Sequence, residues 1–226
     1  MQDLGISILF KGVNFQRLIG GLWVTLRLAL ITIGLSCLFG LLFGLLMLSR
    51  RKIARVFCRL WLEIVRFMPQ LVLLYIVYFG FARLFGLDLD GETSAIIVFT
   101  FWGTAEMGDL IRGALTSIPK HQTESAAALG LTKGQIYLHV LIPQTLRRLL
   151  PQAINLSTRI IKTTALVKMI NVTEVLKVGQ QIIDANRMQF PKAALSIYGV
   201  IFFLYFFTCW PISLISKYLE KKWSVK

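Results

Sequence analysis

The sequence predicts an all-α integral membrane protein with five transmembrane helices, and three observations predict it. Of its 226 residues 56% are hydrophobic, with a mean hydropathy of +0.68, which is too apolar for an ordinary soluble domain of this length. Residues 28–48 and 193–216 contain no charged side chain, and each is long enough to cross a hydrocarbon core, which takes roughly 20 apolar residues. Basic residues gather beside the apolar runs, at Arg50, Arg51, Lys52, Arg55 and Arg59 and again at Lys217, Lys221, Lys222 and Lys226. The net charge of +14 is therefore read as a signal for a membrane surface and against nucleic acid.

The spans are placed at 18–48, 61–85, 93–115, 149–170 and 193–216, all within one transmembrane domain covering 1–226. The first apolar run is too long for the core of a signal peptide, and Asp3, Lys11 and Arg17 are scattered, so the first span is expected to stay. The connection after span one holds the basic run from Arg50 to Arg59, whereas the next holds Asp88, Asp90 and Glu92 against Arg83. Positive charge marks the cytoplasmic side. The N-terminus is then outside, the 116–148 connection inside, the mixed-charge 171–192 connection outside and the basic C-terminus cytoplasmic.

Three spans carry charge: Glu63 and Arg66, then Glu106, Asp109 and Arg112, then Arg159 and Lys162. Each such group must meet a partner, a cavity or an interface. The pairs Glu63/Arg66 and Asp109/Arg112 sit three residues apart and suit mutual neutralisation that fixes packing. Glu106, Arg159 and Lys162 lack an adjacent opposite charge and are the stronger candidates for a pathway.

The 116–148 connection has start and stop signals for a short helix. Thr123 is expected to cap it, with Glu124 in its first turn. Gly130 ends it, as the left-handed position past a helix prefers, and Thr132 with Gln135 offers a capping box for the next helix. Ser125, Ala126, Ala127 and Ala128 leave one surface with little bulk before Leu131. Local physics allows two uses of it: docking another protein closely, or packing on the chain's own spans.

Cys37, Cys58 and Cys209 lie far apart in or beside apolar segments and are expected to be inert. His121 and His139 suit exposed polar positions, and no nucleophile, base or metal constellation argues for catalysis.

Glu124, Ala126, Gly130 and Val140-Leu141-Ile142-Pro143 have the spacing of the EAA motif, and on these residues the chain resembles the permeases of bacterial ABC importers. It is most similar to their polar amino-acid branch (histidine, glutamine, arginine and opine uptake). The likeness runs through Thr25-Leu26, Arg66 and Pro69 of an Arg-Gly-Thr-Pro pattern, Arg112-Gly113-Ala114, Pro143-Gln144, Leu146-Arg147-Arg148, Pro151, Asn155 and Lys162-Thr163-Thr164-Ala165-Leu166. Phe67-Met68 replaces Gly-Thr, His121 stands where the family has Gly, and Thr163 where it has Asp.

The resemblance implies a type I importer fold in a bacterial cytoplasmic membrane, with 123–131 as a coupling helix seated on a separate ATPase. Its expected partners are two ABC ATPase subunits, a second permease copy or a sister permease, an extracytoplasmic amino-acid-binding protein and the lipid bilayer. ATP and Mg belong to the ATPase; no cofactor is expected on this chain, which lacks a phosphate-cradling Gly-rich loop ending in Lys-Ser/Thr.

An amino acid crossing such a protein needs a cation for its carboxylate and an anion for its ammonium. Arg66, Glu106, Asp109, Arg159 and Lys162 are the candidate pathway residues. Glu106 falls where the branch has Tyr, so it is expected to receive a cationic group and to favour neutral or cationic substrates. An ion- or proton-coupled secondary transporter is the alternative, because it too uses intramembrane carboxylates.

Overall fold

The computed structural model describes residues 6–223, the side chain of Phe85 excepted; Asp3 and Lys226, named above, lie outside the described residues. Every regular element among the described residues is helical. After a 3-10 turn at Ile6–Phe10 comes α1 (Asn14–Met47), 34 residues long. Although α1 is apolar nearly all round, it buries a narrow stripe that includes Gly21, Thr25, Ala29, Thr32, Ser36, Gly40 and Gly44. The spacing of three and four residues puts these small side chains on one face. Small residues are what close helix packing needs where lipid is as apolar as leucine, and Trp23, Leu30 and Leu42 stay exposed on the outer side.

Three described helices are long and apolar enough to cross a membrane: α1, Gly91–Thr116 and Ala193–Trp223. A fourth is reached if the broken pair Lys52–Phe67 and Gln70–Leu84 is counted as one span. The first, third and fifth expected spans therefore have helices, the last running on to Trp223.

The second expected span, 61–85, is corrected. Its helix α2 (Lys52–Phe67) starts nine residues earlier, inside what reads as a basic loop, and stops before Pro69. A residue preceding proline is pushed out of the helical region, and Met68 is extended at φ −73°, ψ 126°. The chain resumes as α3 (Gln70–Tyr75), a π-helical stretch at Ile76–Gly80 and α4 (Phe81–Phe85), which Gly86 closes in the left-handed region at φ 64°.

After α5 (Gly91–Thr116) come α6 (Lys120–Ala128), α7 (Lys133–Gln135) and a π-helical stretch at Ile136–Leu141. The fourth expected span, 149–170, is also redrawn: α8 (Ile142–Thr163) begins earlier and passes into a 3-10 segment, Thr164–Ile170. Arg147, Arg148, Arg159 and Lys162 keep α8 from being uniformly apolar, and it is not among the helices that pass as spans by themselves. Asn171, left-handed at φ 66°, ends the 3-10 segment. The connection that follows is itself helical, α9 (Val175–Asn186), ahead of α10 (Ala193–Trp223).

The chain divides into two compact units. One takes the residues up to Thr32, Pro69–Phe99 and Arg159–Pro211; the other takes Ile33–Met68, Thr100–Thr158 and the residues from Ile212. In the first unit, Leu18, Val175, Ile182, Ile197 and Ile201 form one buried cluster, and Leu28, Leu74, Phe99, Val167 and Ile170 form another. In the second, Gly40 and Gly44 of α1 lie directly against Met107 and Gly108 of α5. Trp61 of α2 packs there against Phe101, the rings tilted by 35° with centroids 4.6 Å apart.

Candidate functional site

The second unit holds the 116–148 connection and, of the charged candidates, Glu63, Arg66, Glu106, Asp109 and Arg112. The short helix of the 116–148 connection starts at Lys120 with Pro119 as its N-cap, not at Thr123. Proline presets the backbone angle of a helix entry and has no N–H to leave unsatisfied, so Thr123 and Glu124 fall inside the helix. The stop is as expected. Gly130 is left-handed at φ 80°, and its N–H reaches the Ala127 carbonyl at 3.0 Å while the Leu131 N–H reaches that of Ala126 at 3.2 Å. This crossed pair is the Schellman arrangement, which needs a residue free of Cβ strain at its turn.

The capping box of α7 is present in both halves: the Thr132 hydroxyl accepts from the Gln135 N–H, and the Gln135 side chain accepts from the Thr132 N–H. On α6, Ala126 is buried, whereas Glu124, Ser125, Ala127 and Ala128 are exposed and Leu129 is 81% exposed. The α6 segment is tied to α8 by Gln144 donating to Gln122 and by Arg148 donating to the Ser117 carbonyl at 2.6 Å. It is thus an anchored helix that presents small side chains and one large apolar one outward.

The charged cluster lies between α2 and α5. Arg66 Nη2 donates to Asp109 Oδ2 at 2.6 Å, and Arg66 Nε to Glu106 Oε1 at 3.4 Å. Arg112 grips the other Asp109 oxygen through Nε at 2.9 Å and Nη2 at 2.5 Å. Two expectations change. Arg66 is neutralised from α5 and not by Glu63, because Glu106 and Asp109 share the helix face toward it. For the same reason Glu106 is no lone carboxylate. Asp109 with Arg112 is paired as expected. Arg159 and Lys162 belong to the first unit, where both are exposed on α8.

Beside the cluster, a cavity of about 610 Å³ is lined by Lys52, Arg55, Arg59, Glu63, Arg66, Asp109 and Arg112 together with Met47, Val56, Cys58 and Leu62. The part that α2 plays here is not among the expected site features. Its signal was present: charged residues recur at 52, 55, 59, 63 and 66, a helical period, but the basic run and the expected span divided them between a loop and a membrane segment.

The described residues contain no grouping of His, Cys, Asp and Glu able to hold a metal. Outside the spans, Asp90 caps α5, its Oδ2 accepting the N–H groups of Glu92 at 3.1 Å and Thr93 at 3.2 Å. Hydrogen bonds from the Thr93 hydroxyl, and then from that N–H, hold its carboxyl below the ordinary range.

Residues 36–225 match the family described as "Binding-protein-dependent transport system inner membrane component". The "Probable glutamine ABC transporter permease protein GlnP" of Bacillus subtilis strain 168 is 30% identical, over 93% of this chain and 97% of its own. The "Probable amino-acid ABC transporter permease protein YckA" of the same strain is 29% identical, over 93% and 91%. A solved structure, "Crystal structure of an amino acid ABC transporter with histidines", shares the fold with a TM-score of 0.81, at 24% identity over 92% of this chain and 94% of that one. The family places the chain in the inner membrane as a multi-pass, non-catalytic component, and sets aside the secondary-transporter alternative. With its long apolar helices and nearly its whole length matched, the chain belongs to the family of inner membrane components of binding-protein-dependent transport systems, the permease subunits of ABC transporters.

Proposed function

We propose that this permease imports a polar amino acid, working with two ABC ATPase subunits, a second permease copy or a sister chain, and an extracytoplasmic binding protein that delivers the substrate. The single observation that carries the coupling half of this reading is the outward surface of α6, Ala127, Ala128 and Leu129, ending in the Gly130 turn. A helix with small exposed side chains lets another protein's backbone approach closely. Residues 123–131 are the coupling segment, with Thr123, Glu124, Ser125, Ala126, Ala127, Gly130 and Leu131 as its members. Closure of the ATPases on ATP moves α6, and the rigid α6–α8 tie carries that motion into the spans.

The chain crosses the membrane five times in this reading, with its N-terminus outside and its C-terminus cytoplasmic. The broken α2/α3 pair supplies the second crossing, and α8 with its 3-10 extension the fourth. The basic run at Arg50–Arg59 supports the orientation. Arg66, Glu106, Asp109, Arg159 and Lys162 are the residues assigned to the substrate pathway in this reading. Names of relatives that carry glutamine and other amino acids support the substrate class.

The test is ATPase activity of the purified complex in lipid, with its binding protein, across basic, neutral and acidic amino acids. A subset should stimulate the wild type. Gly130→Asp, which adds a charge to the exposed turn and some strain at its left-handed backbone, should abolish the stimulation while the complex stays assembled. Glu106→Gln probes the choice between neutral and cationic substrates: with Arg66 already facing it, an unchanged preference removes Glu106 from specificity. Indifference to every amino acid sinks the substrate assignment.

A further inference from the structure

Resting on the reading just given, we propose that the cavity beside α2 holds the head group of the transported amino acid, with Arg59, backed by Arg55, on its carboxylate and Glu63 on its ammonium.

Of the charges that line the cavity, Arg66, Asp109 and Arg112 are already engaged with one another. Lys52, Arg55, Arg59 and Glu63 enter no ion pair among the described residues, although all four line the same cavity. Helix geometry explains how they come to share it. At 100° per residue, positions 52, 55, 59, 63 and 66 fall within roughly one quarter of the α2 circumference. Cys58, Leu62 and Val65 form the buried face, and Ile53, Leu60, Ile64 and Phe67 a third, exposed apolar face. Arg66 on the charged face is tied to α5, while Lys52, Arg55, Arg59 and Glu63 on the same face are exposed and take no part in the buried packing.

The pattern of signs selects the ligand. Arg59 and Glu63 are one turn apart, with Cβ atoms about 6 Å from each other, yet they form no ion pair. A group carrying an anion and a cation on neighbouring atoms, as an α-amino acid does, fits between them. Arg55, a further turn back, offers the carboxylate's second oxygen a donor, and a guanidinium suits a carboxylate better than an ammonium does. The excess of positive charge at the Lys52 end disfavours a cationic side chain pointing that way; the Arg66–Asp109 end presents a balanced surface. The cavity volume, about 610 Å³, accommodates an amino acid with its remaining water.

The same pair of charges occurs in an ethanolamine phospholipid headgroup, with phosphate in place of carboxylate, so the experiment separates the two sources. The assembled complex, without its binding protein, is equilibrated with labelled L-glutamine, L-arginine and L-glutamate. For whichever binds, two analogues compete, one lacking the α-ammonium and one lacking the α-carboxylate. Wild type should bind at least one amino acid. Glu63→Gln should weaken it tenfold or more while leaving the analogue without the ammonium unaffected, and Arg59→Gln should weaken it while sparing the analogue without the carboxylate. Co-purification of the ATPase with each variant shows that the fold is kept.

Equal affinities in wild type and both variants overturn the proposal, and so does an equal loss for all probes, which marks a structural role. Binding that appears only when phosphatidylethanolamine is removed assigns the cavity to lipid and overturns it as well. If amino acids stimulate the complete system but none binds here, the importer reading stands and this site falls. If none stimulates it, both fall.

Discussion

Arg66 and Asp109 are 43 residues apart in sequence and 2.6 Å apart in the structure, whereas Glu63, one turn back on the same helix as Arg66, is not its partner. Asp109 carries two guanidiniums, one on each oxygen, and its side chain is 17% exposed against 44% for Arg66 and 40% for Arg112. The carboxylate is the shielded member, so removing its charge takes the carboxylate partner from Arg112 and leaves Arg66 with the longer contact to Glu106. Asp109→Asn should lower stability by about 1–2 kcal/mol, the cations' exposure moderating the loss. Thermal unfolding in detergent measures this. A double-mutant cycle of Arg66→Ala with Asp109→Ala should show a coupling of about 1 kcal/mol or more. Additive losses would mean that the contact has no energetic weight.

Packing of α1 on α5 offers a sharper contrast. A Cβ on Gly44 would stand 2.8 Å from the carbonyl oxygen of Gly108, whereas a Cβ on Gly108 would stand 2.6 Å from an edge atom of the Phe43 ring. A ring can turn aside but a backbone carbonyl in a helix cannot, and the backbone atoms that a Cβ on Gly108 would also approach, Gly44 N at 3.1 Å and Gly40 O at 3.2 Å, stand farther off. Gly44→Ala should therefore cost about 1–3 kcal/mol, as overpacking does, and more than Gly108→Ala. Gly34→Ala, with nothing within 4 Å of its Cβ, should be neutral or slightly stabilising because alanine favours a helix. The order of the three melting temperatures is the measurement, and a reversed order refutes the packing argument.

The residues that were legible and those that were not differ in the range of the forces that place them. Gly130 and the Thr132/Gln135 box are set by hydrogen bonds within a few residues, so a sequence reading finds them. Apolar runs without charge mark most of α1 and α10 in the same local way. Spacing alone pairs Arg66 with Glu63, because only local neighbours are visible in a sequence; its partners come from another helix. The Arg50–Arg59 run reads as a loop because its charge density suggests an aqueous connection. The exposed apolar face of α2, with Leu60 and Phe67 on it, shows how one helix carries both. Pro119 takes the place of Thr123 as the cap because its ring fixes the entry angle four residues earlier.

Asp90 should make stability depend on pH at the start of α5. Its cap on Glu92 and Thr93 is worth about 1 kcal/mol, and Asp90→Ala should lose that amount at pH 7. Because hydrogen bonding holds its carboxyl below the ordinary value, the folded state favours the ionised form. The contribution is therefore full above the unfolded pKa of about 3.9 and is lost as pH falls through the folded value. Hydrogen exchange of the first α5 turn should separate wild type from Asp90→Asn in acid and bring them close at neutrality. Glu92, ion-paired with Arg27, is common to both proteins and cancels in the comparison.

Glu174 is fully buried, yet it is bound on every side that matters. Its Oε2 accepts the Leu176 N–H and its Oε1 the Lys177 N–H, each at 2.8 Å, so it caps α9 with both oxygens. The Tyr205 hydroxyl donates to Oε2 at 3.4 Å from α10, and Gly21 of α1 lies so close that a Cβ there would meet the Val175 backbone at 2.9 Å. Burial pushes this carboxyl above its usual range while the two N–H bonds pull it back. A carboxamide has the same shape but one acceptor, so Glu174→Gln turns an NH2 toward a backbone N–H and leaves a buried donor without a partner. That substitution should cost about 2 kcal/mol, more than Tyr205→Phe at about 1 kcal/mol, since the phenol's bond is the longest of the three. Melting of the two variants in detergent decides it: a Glu174→Gln protein as stable as wild type would mean that the α9 cap does not depend on two acceptors.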